Sequence, residues 1–253
     1  MATARVALSM FLDRLTARSA LTSEEQEIIL ELPGREVNVG ARRDFVSEGN
    51  ESRQSCLIVS GLAARFSQVR SGARQVTGFS IPGDFADLHS AVRPSGLGGM
   101  MAISDTTIYR IPHEAIESAA IAYPAIAKAF WRDCVLDAAI LVEWVTGLGK
   151  LTAVTRLARI FCEMAVRHGR LEGPSLSYPF RITQEQLGEA AGLTGVHVNR
   201  SLKTLRDKGA VVLTGGQATI KDWRLLVTIA EFNSDYLLAD TISLRDRPLL
   251  RAA

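Results

Sequence analysis

Gly195, Val196, His197, Asn199, Arg200, Lys203 and Arg206 fall on the outer side of one helical period, opposite Val198, Leu202 and Leu205. A guanidinium, a carboxamide, an imidazole and an ammonium gathered on one face are groups that address base edges and phosphate oxygens. None of them sits in a spacing that supplies a nucleophile with a base, so the chemistry they imply is recognition rather than bond-making.

Such a face needs two helices to hold it. Thr183 can cap a first helix while Gln186, three residues on, reaches back to the Thr183 N–H, a reciprocal capping box. Leu187, Ala190 and Ala191 give that helix an inward side, Gly192 permits a left-handed turn, and Thr194 caps the second helix. A plain helical hairpin with a solvated basic face would share these signals. The stretch Val211–Ile220 favours a DNA reader, because two short β runs around Gly215-Gly216 form the hairpin of a winged domain.

Charge agrees with this placement. The 253 residues carry 29 Lys+Arg against 27 Asp+Glu, a net +2. From Lys150 onward there are 15 basic and 10 acidic residues, a balance of +5, whereas Met1–Gly149 has 14 against 17, or −3. The footprint for a polyanion therefore belongs to the C-terminal part. Cys56, Cys134 and Cys162 are odd in number and widely spaced, which suggests buried free thiols, with no disulfide framework and no metal site. His89, His113, His168 and His197 are scattered, and no hydrolase or phosphate-cradling motif is present, so the chain is read as not an enzyme. No apolar run is long enough to span a membrane and no signal segment is seen, which implies a cytoplasmic protein.

Along the chain, residues 10–32 look helical, with a helix start at Leu21–Glu25. Short β runs follow from Val37 to Ile111, among them Cys56–Ser60, Ala63–Val69, Val76–Ile81 and Thr107–Ile111, the rhythm of a barrel or sandwich. A long helix is expected over Pro124–Thr146. Ala127, Trp131, Cys134, Ala138, Leu141 and Val145 step along it by 4, 3, 4, 3 and 4, a heptad seam flanked by Phe130, Val135 and Val142. The seam predicts a parallel homodimer, with Cys134 facing its symmetry mate. Gly147-Leu-Gly149 should then break the helix and form a hinge before a helix over Ala153–Arg167.

This order of β-roll, long helix, hinge and winged helix-turn-helix resembles the Crp/Fnr family of bacterial transcription regulators. The motifs that carry the resemblance are Pro82-Gly-Asp-Phe-Ala-Asp-Leu88, Ile182-Thr-Gln-Glu-Gln-Leu-Gly188, Gly192-Leu-Thr-Gly-Val-His-Val-Asn-Arg200 and the tail Ala230–Leu238. It implies an α+β fold: residues 1–123 a cyclic-nucleotide-binding-like sensor roll with N-terminal helices, 124–150 the dimerisation helix and hinge, 151–253 the DNA-binding domain and tail. It also implies a homodimer on a palindrome in double-stranded DNA and, in an activator, contact with RNA polymerase. Arg200 matches the family's base-reading arginine; His197, Asn199 and Val196 supply further base contacts, and Thr183, Thr194 and Lys203 phosphate contacts. The Arg-Glu pair that opens the helix in the best-known branch is replaced by Gly195-Val196, so the operator should differ.

The roll departs from the cyclic-nucleotide pattern. Its ribose glutamate falls at Leu88 and its phosphate-binding pair at Gly96-Leu97, leaving Gly83, Asp84, Asp87 and Arg93 as candidate effector residues. A buried phosphodiester without a cationic partner is costly, so no cyclic nucleotide and no cofactor is expected, and the effector is unassigned. The cysteine-free N-terminus does not suit an iron–sulfur cluster, and haem would have only His89 or His113 as an axial ligand. The alternative is a ligand-binding module that acts on a partner protein without touching DNA.

Overall fold

The computed structural model describes residues 2–94, 96–169 and 176–237. The chain divides into two compact units, Met1–Ala139 and Ile140–Ala253.

In the first unit, helices α1 (Ala2–Thr16) and α2 (Ser23–Leu30) precede seven strands. The helix start expected at Leu21–Glu25 within the helical stretch 10–32 is where α2 begins, Thr22 and Glu25 forming a capping box ahead of Ser23. Strands β1 (Arg35–Val39), β7 (Thr106–Pro112) and β3 (Gln54–Ser60) make one antiparallel sheet. Strands β2 (Asp44–Val46), β6 (Gly99–Ala102), β4 (Ala63–Gln68) and β5 (Arg74–Ser80) make the other. The continuous apolar run of β3 is explained by burial on both faces. Leu57 and Val59 join Phe11, Phe85, Ile116 and Phe130 in one core, while Cys56 and Ile58 join Ala63, Met100 and Ile108 in the other. Helix α3 (His113–Ala122) and the first part of α4 (Pro124–Lys150) close the unit.

The Pro82-Gly-Asp turn fixes α1 to the roll. Gly83 has φ +85°, and a Cβ there would lie 2.7 Å from Met10 Cβ, so only glycine fits. Asp84 accepts from the Ile81 N–H at 2.6 Å and pairs with the Arg14 guanidinium, which also donates to Pro82 O at 2.8 Å.

Helix α4 corrects the expected glycine hinge. It runs unbroken through Gly147 and Gly149 to Lys150, and the Leu151 N–H still reaches Gly147 O at 3.1 Å. Two interior glycines cost about 1 kcal/mol each relative to alanine, but they keep their amide donors and so do not stop a helix as proline does. The break comes at Thr152, which caps α5 (Ala153–Arg167) by accepting from the Thr155 N–H at 3.2 Å.

The second unit continues with β8 (Leu176–Pro179), α6 (Gln184–Ala191), α7 (Gly195–Asp207), β9 (Val211–Thr214), β10 (Gln217–Ile220) and α8 (Trp223–Ala230). The expected hairpin is β9–β10, with positive φ at both Gly215 and Gly216, the conformation that matches strand twist in a two-residue turn. Strand β8 adds a third strand on the far side of β10. Tyr178, Phe161 and Phe180 form the aromatic centre of this core, and the Tyr178 hydroxyl donates to Phe161 O at 2.8 Å. Of the Ala230–Leu238 tail, Leu238 lies outside the described residues.

Gly188 is the tightest point of the α6–α7 pair: a Cβ there would sit 2.5 Å from Leu193 O. Gly188→Ala should therefore destabilise the second unit by about 1–3 kcal/mol in urea unfolding, although alanine is the better helix former. A neutral or stabilising result would show that the turn can yield.

Candidate nucleic-acid interface

The helix pair is built as its residues dictate. Thr183 Oγ1 accepts from the Gln186 N–H at 3.2 Å and Gln186 Oε1 accepts from the Thr183 N–H at 2.9 Å, completing the capping box. Gly192 ends α6 in the left-handed region at φ 60°. Arg156 of α5 donates to Ala191 O at 2.6 Å, satisfying a carbonyl at that helix end. Thr194 then caps α7, accepting from the His197 N–H at 3.5 Å.

Helix α7 buries Val198, Ser201 and Leu205 and half-buries Leu202. Ser201 is an inward residue that polarity concealed. Gly195, Val196, His197, Asn199, Arg200, Lys203 and Arg206 are all exposed, with Val196 at 63 %. Arg200 and Lys203 carry no ion pair among the described residues, so both cations remain available to a polyanion. Two neighbours are held instead: the His197 ring Nδ1 lies 3.1 Å from Thr194 Oγ1, and Asn199 Nδ2 donates to Gln184 Oε1 at 3.5 Å. Thr194 is exposed and Thr183 half-buried. Gln184, on α6, carries no signal in the sequence, because helical periodicity within one element says nothing about contacts across a turn.

A buried acidic hub stands behind this pair. Glu163 on α5 is 2 % exposed and accepts from Trp144 Nε1 at 2.9 Å, Tyr236 Oη at 3.1 Å and Arg167 Nη1 at 3.0 Å. Burial and the Glu163 charge push the Tyr236 phenol up, so its hydroxyl stays a donor.

The four effector candidates do not gather. Gly83 and Asp84 serve the α1 turn, and Arg93 is exposed away from the small cavity inside the roll. Asp87 does line that cavity, beside Arg65, His89, Ser90, Asn50 and Ser52. Its Oδ1 accepts from the Cys56 N–H at 2.5 Å and its Oδ2 is buried without a hydrogen-bond partner. Arg65 donates to Ala86 O at 2.5 Å and to Asp137 Oδ2 at 2.8 Å, committing it to groups of the protein. His113 is buried with Nε2 2.9 Å from Ser90 Oγ, and burial and Arg65 hold His89 down at about 4.

On α4, Trp131, Val135, Leu141, Val142 and Val145 are exposed, Trp131 at 66 % and Val142 at 61 %, and Ala138 lies among them. Ala127 and Cys134 are only partly exposed, Cys134 packing against the core of its own unit. The exposed stripe is thus centred on Trp131, Val135, Ala138 and Val142, turned slightly from the expected seam. Burial, with Asp133 and Asp137 nearby, raises the Cys134 thiol to about 11, so it stays protonated.

Residues 155–229 match the Crp-like helix-turn-helix domain family. The chain is 24 % identical over 172 residues to the regulatory protein HlyX of Actinobacillus pleuropneumoniae, covering 68 % of this chain and 72 % of that one. It is 24 % identical over 202 residues to the transcriptional activator protein FnrL of Cereibacter sphaeroides, covering 78 % and 77 %. FixK2 from Bradyrhizobium japonicum superposes with a TM-score of 0.71 at 23 % identity, over 78 % of this chain and 98 % of that one, a likeness of fold.

Burial, opposed by the Cys56 N–H and by Arg65 and Arg110, raises the Asp87 carboxyl to about 6. A group raised in this way contributes stability that is fully present below its unfolded value of about 3.9 and lost as pH rises through the folded one. Asp87→Asn should consequently gain on the wild type by about 2–3 kcal/mol between roughly pH 4 and pH 7.5 in urea unfolding. A difference independent of pH would mean that the buried carboxylate ionises without cost.

Proposed function

We infer that this chain is a DNA-binding transcription regulator of the Crp/Fnr family, and that it reads a palindromic operator as a homodimer. The observation that carries the reading is the exposed face of α7, with Arg200 and Lys203 unpaired among the described residues, presented by a capped helix-turn-helix inside the segment matching the Crp-like domain. A module that binds only a ligand and a protein partner is not favoured, since FnrL, which matches over most of this chain, is named as a transcriptional activator.

In this reading two copies of α7 enter successive major grooves ~34 Å apart. Arg200 addresses guanine O6 and N7 with two hydrogen bonds, His197, Asn199 and Val196 touch neighbouring base edges, and Thr183, Thr194 and Lys203 hold phosphates. The dimer forms along α4, where the exposed Trp131, Val135, Val142 and Val145 gain a dry partner surface. The roll works without a cyclic nucleotide, because the arginine at its cavity is spent on Asp137 and Ala86 O. A partner such as RNA polymerase belongs to this reading if the protein activates, and so does a cytoplasmic location.

Selection of random duplexes by the purified chain at fixed salt tests the function, and a two-fold symmetric consensus is expected. On that operator Arg200→Ala should cost roughly 1–3 kcal/mol and relax specificity, while Lys203→Ala weakens all sequences evenly and lowers the salt slope by about one. Equal losses from Arg200→Ala on operator and random DNA would remove its base-reading role. Val142→Glu should shift sedimentation towards monomer by roughly 2 kcal/mol or more, since it places a carboxylate in an apolar interface; an unchanged dimer would move the interface elsewhere.

A further inference from the structure

Val196 is the apolar member of the outward face of α7. It is 63 % exposed, and its companions there are Gly195, His197, Asn199, Arg200, Lys203 and Arg206. Folding gains little from it, because valine is a weaker helix former than alanine and most of its isopropyl group stays in water. Gly195 beside it carries no side chain, and a Cβ there would meet nothing within 4 Å, so that flank of Val196 is open as well. The group is nonetheless fixed in direction. A β-branched side chain in a helix keeps one strongly preferred χ1 rotamer, and valine has no donor or acceptor whose order could be exchanged. A short, apolar, pre-set knob thus stands on the first turn of α7, the end of a recognition helix that meets base edges.

In the major groove, guanine, adenine and cytosine are marked by donors and acceptors, and thymine alone adds a methyl group. An isopropyl group pressed on a polar edge strips water from a donor or acceptor without replacing the hydrogen bond. Pressed on a methyl group, it buries apolar surface on both partners. We propose, on the reading that α7 faces DNA, that Val196 recognises the C5-methyl group of one thymine in each operator half-site, and that binding therefore also responds to methylation of a cytosine placed there. Val196 and Arg200 are four residues apart on the same face, roughly 6 Å along the helix axis, which puts this thymine within about two base pairs of the guanine that Arg200 addresses.

The test uses the full chain and the duplex it selects, with each operator thymine replaced in turn by uracil, which differs only in lacking the methyl group. Affinity is read by fluorescence anisotropy across a salt series. For the wild type, one thymine per half-site should lose about fourfold on replacement, the burial worth of one methyl group, and replacing both symmetric copies should lose about fifteenfold. With cytosine in that position instead, methylation at C5 should raise affinity about fourfold. Val196→Ala, which withdraws the branched carbons, should bring the thymine-to-uracil ratio there close to one, and Val196→Ile should keep it. Neither change should alter the salt slope, because no phosphate contact is lost. Urea unfolding should find Val196→Ala at least as stable as the wild type, which separates recognition from folding. A Val196→Ala protein that retains the full ratio at every thymine overturns the role of Val196, and a wild type indifferent to every uracil, or to methylation of the cytosine, overturns methyl recognition altogether. Failure of the wild type to select any duplex would instead overturn the DNA-binding reading itself, which keeps the two apart.

Discussion

The pose of α7 depends on one backbone approach. The Leu193 N–H donates to Gly188 O at 2.9 Å, and the Leu193 carbonyl passes where a Cβ on residue 188 would stand. Only a glycine in the middle of α6 lets the chain double back so closely, and the left-handed Gly192 supplies the turn that the approach requires. Everything outward on α7 inherits its direction from this contact: capping by Thr194, the reach of Gln184 to Asn199 and the exposure of Arg200 all presuppose it. The small Ala190 and Ala191, both buried, let the first helix lie close to its surroundings.

Polar groups buried in the second unit are arranged so that few are left wanting. Glu163 has three donors around its two oxygens, and Arg159 ties Glu143, Ala230 O and Glu231 O together. Satisfied networks of this kind rigidify because any rearrangement exposes a desolvated group. The roll tolerates the opposite condition at Asp87, where one carboxylate oxygen is buried with no hydrogen-bond partner. Its raised proton affinity follows directly, since a neutral carboxyl is less costly to bury than a charged one.

Local chemistry made much of this legible from sequence. The helix start at Leu21–Glu25, the capping box at Thr183, the Gly192 turn and the Gly215-Gly216 hairpin each rest on neighbouring residues, and each stands where the residues put it. Three features escaped for physical reasons. Strand β8 is four residues long and owes its existence to pairing with β10, far along the chain. Helix α8 contains Val227, Thr228 and Ile229, which disfavour helix, and is held by burying Trp223, Leu226 and Ala230. The glycines of α4 signal a break by propensity alone, whereas Gly147 is buried and α4 runs on through both to Lys150. At the site the outward face of α7 was readable by periodicity, but the Gln184–Asn199 link crosses between elements and leaves no trace in spacing.

The docking of α1 has a consequence for how the chain comes into being. Phe11 packs edge-on against Phe85 at 5.1 Å and stacks on Phe130 at 6.1 Å, and Arg14 is fastened to the turn at Asp84. Helix α1 thus meets Phe85, Asp84 and Phe130 only after most of the first unit has been translated. Until then its apolar side, Leu8, Phe11, Leu12 and Leu15, has only Ile29 and Leu32 near in sequence to cover it, and loop closure over the longer span precedes the rest of the reward from burial. Helix α1, made before most of the surfaces that cover it, is among the last pieces of this unit to be locked in place, and the nascent chain passes through a stage in which an amphipathic segment stands partly uncovered.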